Sequence, residues 1–163
     1  SQHVSISPLQ VINYLRALQN AYLINKVRRI DVNGLKTFEI GDKYYFEDLG
    51  LRNCHFGFNM QKDINKLMEN AIYLHLANKQ YEIYTGQQTG GRELDFVAKK
   101  GDEVVYIQST YMMADESTRQ REFGNLQAIR NNYAKYVVSL DEWTSGSSVD
   151  GIKHIHLGDF LRL

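Results

Sequence analysis

Glu93 and Asp95 stand two residues apart in a stretch, 93 to 99, whose residue pattern predicts a β-strand. Side chains alternate along a strand, so both carboxylates should share one face, with Leu94 and Phe96 on the other. Such a pair can hold a hard divalent cation, or simply meet water from a half-buried strand. His154 and His156 alternate likewise in a short strand pattern and could share a transition metal. Two histidines without a third ligand are, however, more often surface residues. Ser109 and Ser139 have no visible histidine and acid beside them, so a hydrolase triad is not supported. Cys54, beside His55, is more simply an inert thiol than a reactive one. No GxxxxGK[ST] loop occurs, and the 86–91 run lacks the lysine that reaches phosphates, so the chain should not hydrolyse ATP.

The elements that must position these residues follow from capping, periodicity and turn signals. Ser7 before Pro8 starts an amphipathic helix carrying Leu9, Ile12, Leu15 and Leu18. Strand-like runs at 23–31 and 35–40 flank Val32-Asn33-Gly34, which predicts a β-hairpin. Helix then hairpin reads as the closing half of a winged helix. Lys26, Arg28, Arg29 and Lys36 would then charge the wing, where DNA could be gripped; ordinary solvated charge is the simpler alternative. An aromatic strand from Lys43 leads into a glycine-containing turn and a linker. A long helix over 59–78 contains Glu69 beside its broad apolar face. Strands at 81–85, 93–99 and 103–110 form a meander, with Lys100-Gly101-Asp102 as its second turn. A helix over 116–129, a buried strand at 136–140, a Ser/Gly loop at 144–148, a strand at 152–156 and a final turn or helix at 158–163 complete the chain.

Size and composition bound the class. With 163 residues, 43% hydrophobic and 23% charged, the chain can bury a core, and neither a disordered nor a fibrous class is favoured. Nineteen basic residues balance nineteen acidic ones, so any nucleic-acid contact must rest on a local patch. A single cysteine excludes an intrachain disulfide, and no run is long and apolar enough to span a membrane, which fits an intracellular, cytoplasmic protein. The eleven tyrosines fall mostly at core spacing and do not argue for base stacking. The chain starts on Ser1 with a helix almost at once, and reads as a fragment.

The order helix, three strands, helix, strand is that of the PD-(D/E)XK nuclease core. The runs Tyr44–Asn53, Met68–Tyr73, Glu93–Val97, Tyr106–Gln108 and Arg121–Phe123, closed by Gly151–His154 and Asp159–Leu161, closely resemble the C-terminal domain of a bacterial and archaeal AAA-type ATPase family. This resemblance implies an ATP-binding domain first, a winged helix second and a nuclease-like domain last. The expected fold is α/β, a restriction-endonuclease-like core preceded by the helix and wing hairpin of a partial winged helix, with a division into 1–54 and 55–163.

Carried onto this sequence, the resemblance makes Glu69 the helix acid, Asp95 the second-strand acid and Gln108 the third-strand remnant. Glu69, Glu93 and Asp95 together could hold magnesium, though an ion pair explains Glu69 equally well. An active member would show an acid, one residue, then Lys where this chain has Gln108, Ser109 and Thr110, so the site reads as degenerate. Lys99 or Lys135 would have to reach in. Three functions remain open. The first is a non-cleaving module of the ATPase, needing no cofactor and binding nucleic acid or a protein such as the ATPase domain. The second is a magnesium-dependent endonuclease with a displaced lysine, for which a Lys or Arg beside Glu69 and Asp95 would speak. The third is a homo-oligomer-forming domain.

Overall fold

A computed structural model describes residues 6–34, 36–37, 41–88, 90–113, 115–142 and 145–163. The chain folds as α1 (Pro8–Asn20), β1 (Ile24–Asp31), β2 (Lys43–Phe46), α2 (Leu49–Phe56) and α3 (Met60–Asn78). Then come β3 (Glu82–Gln87), β4 (Glu93–Lys100), β5 (Glu103–Ser109) and α4 (Glu116–Gln127), followed by β6 (Ala134–Ser139), β7 (Ser148–Val149), β8 (Ile152–His156) and α5 (Leu157–Phe160). The fold class is α/β: one mixed sheet of eight strands in the order β2-β1-β3-β4-β5-β6-β8-β7. The expected helix, three-strand meander, helix and strand are α3, β3 to β5, α4 and β6.

Pairing directions place the chemistry. β1 and β3 are parallel, as are β5, β6 and β8, while β3, β4 and β5 alternate. Five strands therefore run the same way, and their carboxyl ends share one edge of the sheet with the start of the oppositely running β2 and β4. Lys43, Glu93 and Asp95 sit at those starts.

Two apolar clusters sandwich the sheet. Val105 and Ile107 pack with Phe96, Tyr45 and the α3 residues Ile72 and Leu76. Val104 and Tyr106, which alternate with them, pack with Leu94, Val97 and the α4 residues Phe123 and Leu126. Burying each such side chain contributes about 1.5–3 kcal/mol, so α3 and α4 are fixed to opposite faces by their apolar sides.

Helix starts follow the sequence signals. Ser7 and Gln10 form a reciprocal capping box at α1, and Asn59 caps α3. The expected turn and linker after Phe46 is instead a helix: Asp48 accepts from Leu51 N and starts α2. The chain does turn back at Asn33-Gly34, where Asp31 N–H donates to Lys36 O and Ile30 bridges Thr37. Part of the expected second arm, residues 35 and 38–40, lies outside the described residues, as do 143–144 near the expected Ser/Gly loop. Among the described residues, the strand antiparallel to β1 is β2, with Thr37 adding a single antiparallel bridge to Ile30. β1 also pairs with β3, so hydrogen bonding joins residues 24–46 to the sheet across the expected boundary at 54.

Candidate functional site

A bulge on β4 aims the central carboxylate. Tyr84 pairs with Val97 and Gly86 with Leu94, so two steps along β3 face three along β4. Only glycine fits there: a Cβ at Gly86 would lie 2.7 Å from Val32 Cγ2 and 2.9 Å from Leu94 Cβ. The extra residue breaks simple alternation. Leu94 packs on the α4 side as expected, but Phe96 packs on the α3 side, its ring centroid 5.5 Å from that of Tyr45. Asp95 emerges on that same side.

There Asp95 meets groups from three other elements. Its Oδ2 accepts from Ser109 N–H at 2.8 Å and from Ser109 Oγ at 3.0 Å, where β5 ends. Its Oδ1 lies 3.6 Å from Lys43 Nζ. The same ammonium donates to Glu69 Oε2 on α3 at 3.2 Å, and the Tyr45 hydroxyl donates to that oxygen at 3.3 Å. Lys43 and Tyr45 alternate along β2 and so reach inward together, Tyr45 stacked on Tyr73 with centroids 4.8 Å apart. Asn70, next to Glu69 and buried, fixes the register: its Oδ1 accepts from Phe46 N at 2.7 Å and its Nδ2 donates to Phe46 O at 2.8 Å. Beside the centre, β2, α2 and α3 enclose a cleft of about 390 Å³ that includes Lys43, Arg52, Lys66 and Glu69.

Electrostatics follow the crowding. Burial and then the adjacent Glu69 charge push the Asp95 carboxyl up to about 6, against the pull of Lys43 and Ser109. Burial disfavours the Lys43 ammonium, but Asp95 and Glu69 more than offset it, and its pKa stands above the usual lysine value. Burial, then Glu69, raises the Tyr45 phenol well above its usual range. The centre thus holds a charged lysine between the two acids.

The other anticipated residues are dispersed. Glu93 is engaged by Arg29, whose Nε also donates to Gly41 O. Gln108 shares the α4 face with Tyr106 and does not join Asp95; its Oε1 is buried without a hydrogen-bond partner among the described residues. Ser109 is the third-strand residue that reaches the acids. Lys99 lies at the far end of β4, and Lys135 donates to Asn131 O. Of the four cations expected to meet DNA, Lys26 pairs with Asp42 at 2.6 Å and Arg29 with Glu93, while Arg28 and Lys36 make no ion pair among the described residues. His154 and His156 have separate partners: His154 Nε2 is 2.7 Å from Ser139 Oγ in the buried layer, and His156 Nδ1 accepts from Gly158 N. Ser139 therefore does have a histidine neighbour, but it is wholly buried. Cys54 is an exposed free thiol on α2.

A magnesium ion between these acids would have to displace hydrogen donors already bound to them. A hard cation needs several oxygens offering lone pairs. Here Lys43 and Tyr45 donate to Glu69 Oε2 and Ser109 donates twice to Asp95 Oδ2, and among the described residues no group of three His, Cys, Asp or Glu is disposed to hold a metal.

An uncharacterised protein of Haemophilus influenzae is 30% identical to this chain over 161 residues. The match takes in 99% of this chain but 39% of the relative, so the chain corresponds to one part of a longer polypeptide there. No family model and no solved structure matches. No described helix is long and apolar enough to cross a membrane.

Proposed function

We propose that this chain is a non-cleaving, nuclease-like module of an AAA-type ATPase polypeptide, and that it works by engaging a protein partner. The observation that carries the reading is the third strand, where Gln108 and Thr110 stand in place of the acid and the lysine that the resemblance calls for. Lys43, 3.2 Å from Glu69 and 3.6 Å from Asp95, supplies positive charge to the acid pair from within the chain and is compatible with either reading. The motif runs around Tyr44–Asn53 and Glu93–Val97 support the family reading, as does the greater length of the Haemophilus relative. A protein partner is favoured over nucleic acid because the net charge is zero and two of the four candidate DNA-contacting cations are in ion pairs.

The competing reading is a magnesium-dependent endonuclease with a displaced lysine, and the approach of Lys43 is the observation in its favour. Calorimetric titration with magnesium and manganese, together with cleavage assays on single- and double-stranded DNA, separates the two. The non-cleaving module shows neither metal binding nor cleavage. Metal-dependent cleavage that disappears in Glu69→Gln and Asp95→Asn would overturn it in favour of the nuclease.

A further inference from the structure

One end of the molecule is unfinished in physical terms. α1 has no buried residue along its thirteen, and α2 has none along its eight. Leu9 is 66% exposed, Tyr14 62% and Phe56 66%. A thirteen-residue helix is marginal in water on propensity alone and normally owes its stability to packing of an apolar face. Among the described residues α1 packs chiefly on β1, and Leu9, Val11, Ile12, Tyr14 and Leu18 stay exposed. Between α1 and α2, over the β2 side chains Tyr44 and Phe46, lies a groove of about 510 Å³, walled by Leu15, Leu18, Leu51 and Phe56. Arg52 and His55 are the basic side chains on its lining. Contiguous apolar surface of this kind marks a binding site.

We infer that the α1–α2 groove is the seat of another part of the same polypeptide, packed there through apolar side chains. Three observations select this occupant. The Haemophilus relative matches this chain over only 39% of its own length, so a much larger mass is covalently tied to the corresponding unit there. The groove lining is mainly apolar, and its Arg52 is already paired with Asp63. A tethered partner also meets the groove at a high effective concentration, so a surface of this modest size suffices for stable docking. The inference rests on the proposed function only in taking the chain as one module of a longer polypeptide; it is independent of the state of the Lys43 centre.

Hydrogen exchange read by mass spectrometry tests it, comparing the 163-residue chain with the polypeptide isolated at its natural length. In the longer form the α1 amides should exchange at least about tenfold more slowly, a shift in local opening, and Leu18→Asp or Phe56→Asp should remove that slowing. The β4 and β5 amides report folding and should stay protected in both variants. Equal α1 exchange in the two forms overturns the inference, as does a natural polypeptide no longer than this chain. Self-association of the short chain with α1 protected would assign the groove to a second copy and overturn it too. Leu18 lines the groove and not the cleft beside Lys43 and Glu69, so Leu18→Asp leaves the metal and cleavage assays above unaffected and the two readings fail separately.

Discussion

Replacing Lys43 by methionine tests the central ion pair most directly. Methionine keeps much of the apolar stem and removes the charge between Glu69 and Asp95. At an effective dielectric constant near 20, unit charges 3.6 Å apart attract by about 5 kcal/mol. Dehydrating the ammonium offsets part of that, and removing one partner of a buried pair typically costs about 3–5 kcal/mol. Lys43 retains 26% of its side-chain exposure and Glu69 23%, which lowers the expected loss to about 2–4 kcal/mol at pH 8. The pH dependence carries the sharper signature. The folded Asp95 carboxyl is raised from 3.8 to about 6, so charging it opposes folding by about 3 kcal/mol as pH rises through that window. Stability from this group is thus greatest below about pH 4 and lost above about pH 6. Without Lys43 the folded value moves higher still and the penalty grows at alkaline pH. Near pH 4.5 folded Asp95 is protonated in both proteins, and the Lys43–Asp95 part of the difference vanishes. Urea unfolding of both proteins at pH 8 and 4.5 measures this. Equal stabilities at pH 8, or a difference that does not shrink at pH 4.5, would refute the reasoning.

Three further outcomes follow from the same geometry. Ser109→Ala removes one hydrogen bond to the Asp95 carboxylate and should move its titration above the wild-type value, read by NMR of the side-chain carboxyl. Asn70→Ala leaves Phe46 N and O without their side-chain partner and should cost about 2–3 kcal/mol, with β2 amides exchanging faster than those of β5. Gly86→Ala forces a Cβ against Val32, Leu94 and Val97 and should cost about 1–3 kcal/mol in thermal unfolding, whereas Gly124→Ala, where a Cβ meets open space, should not destabilise.

How much of this was legible in the sequence differs between fold and site. Helix starts were written in local chemistry: Ser7 before Pro8 caps where expected, and Asn59, the first residue of the expected long helix, is its cap. The meander followed from period-two patterns and the Lys100-Gly101-Asp102 turn. The site was only half readable because its decisive contacts join residues distant in the chain. Glu69 and Asp95 could be named from the resemblance, but the pairing of β2 beside β1 brings Lys43 over them, and no local signal sets that pairing. The bulge at Asp95 depends on how closely Gly86 lets β3 approach β4, so alternation assigned Phe96 to the wrong side. Gln108 attracted attention by sequence position, yet strand parity gives Ser109 the contact. Lys43 did carry a usable hint, being the one charged residue in an otherwise aromatic strand.

The side-chain amide that pins β2 to α3 has one more effect. A long sheet ends in rows of unpaired backbone groups, which invite strands from other molecules and, with them, aggregation. At one rim of this sheet the outermost strand has four residues, and both backbone groups of its last residue, Phe46, are already taken by Asn70. At the other rim the outermost strand has only two residues. Neither margin offers a neighbouring chain a run long enough to zip onto, so the sheet resists growth from either side.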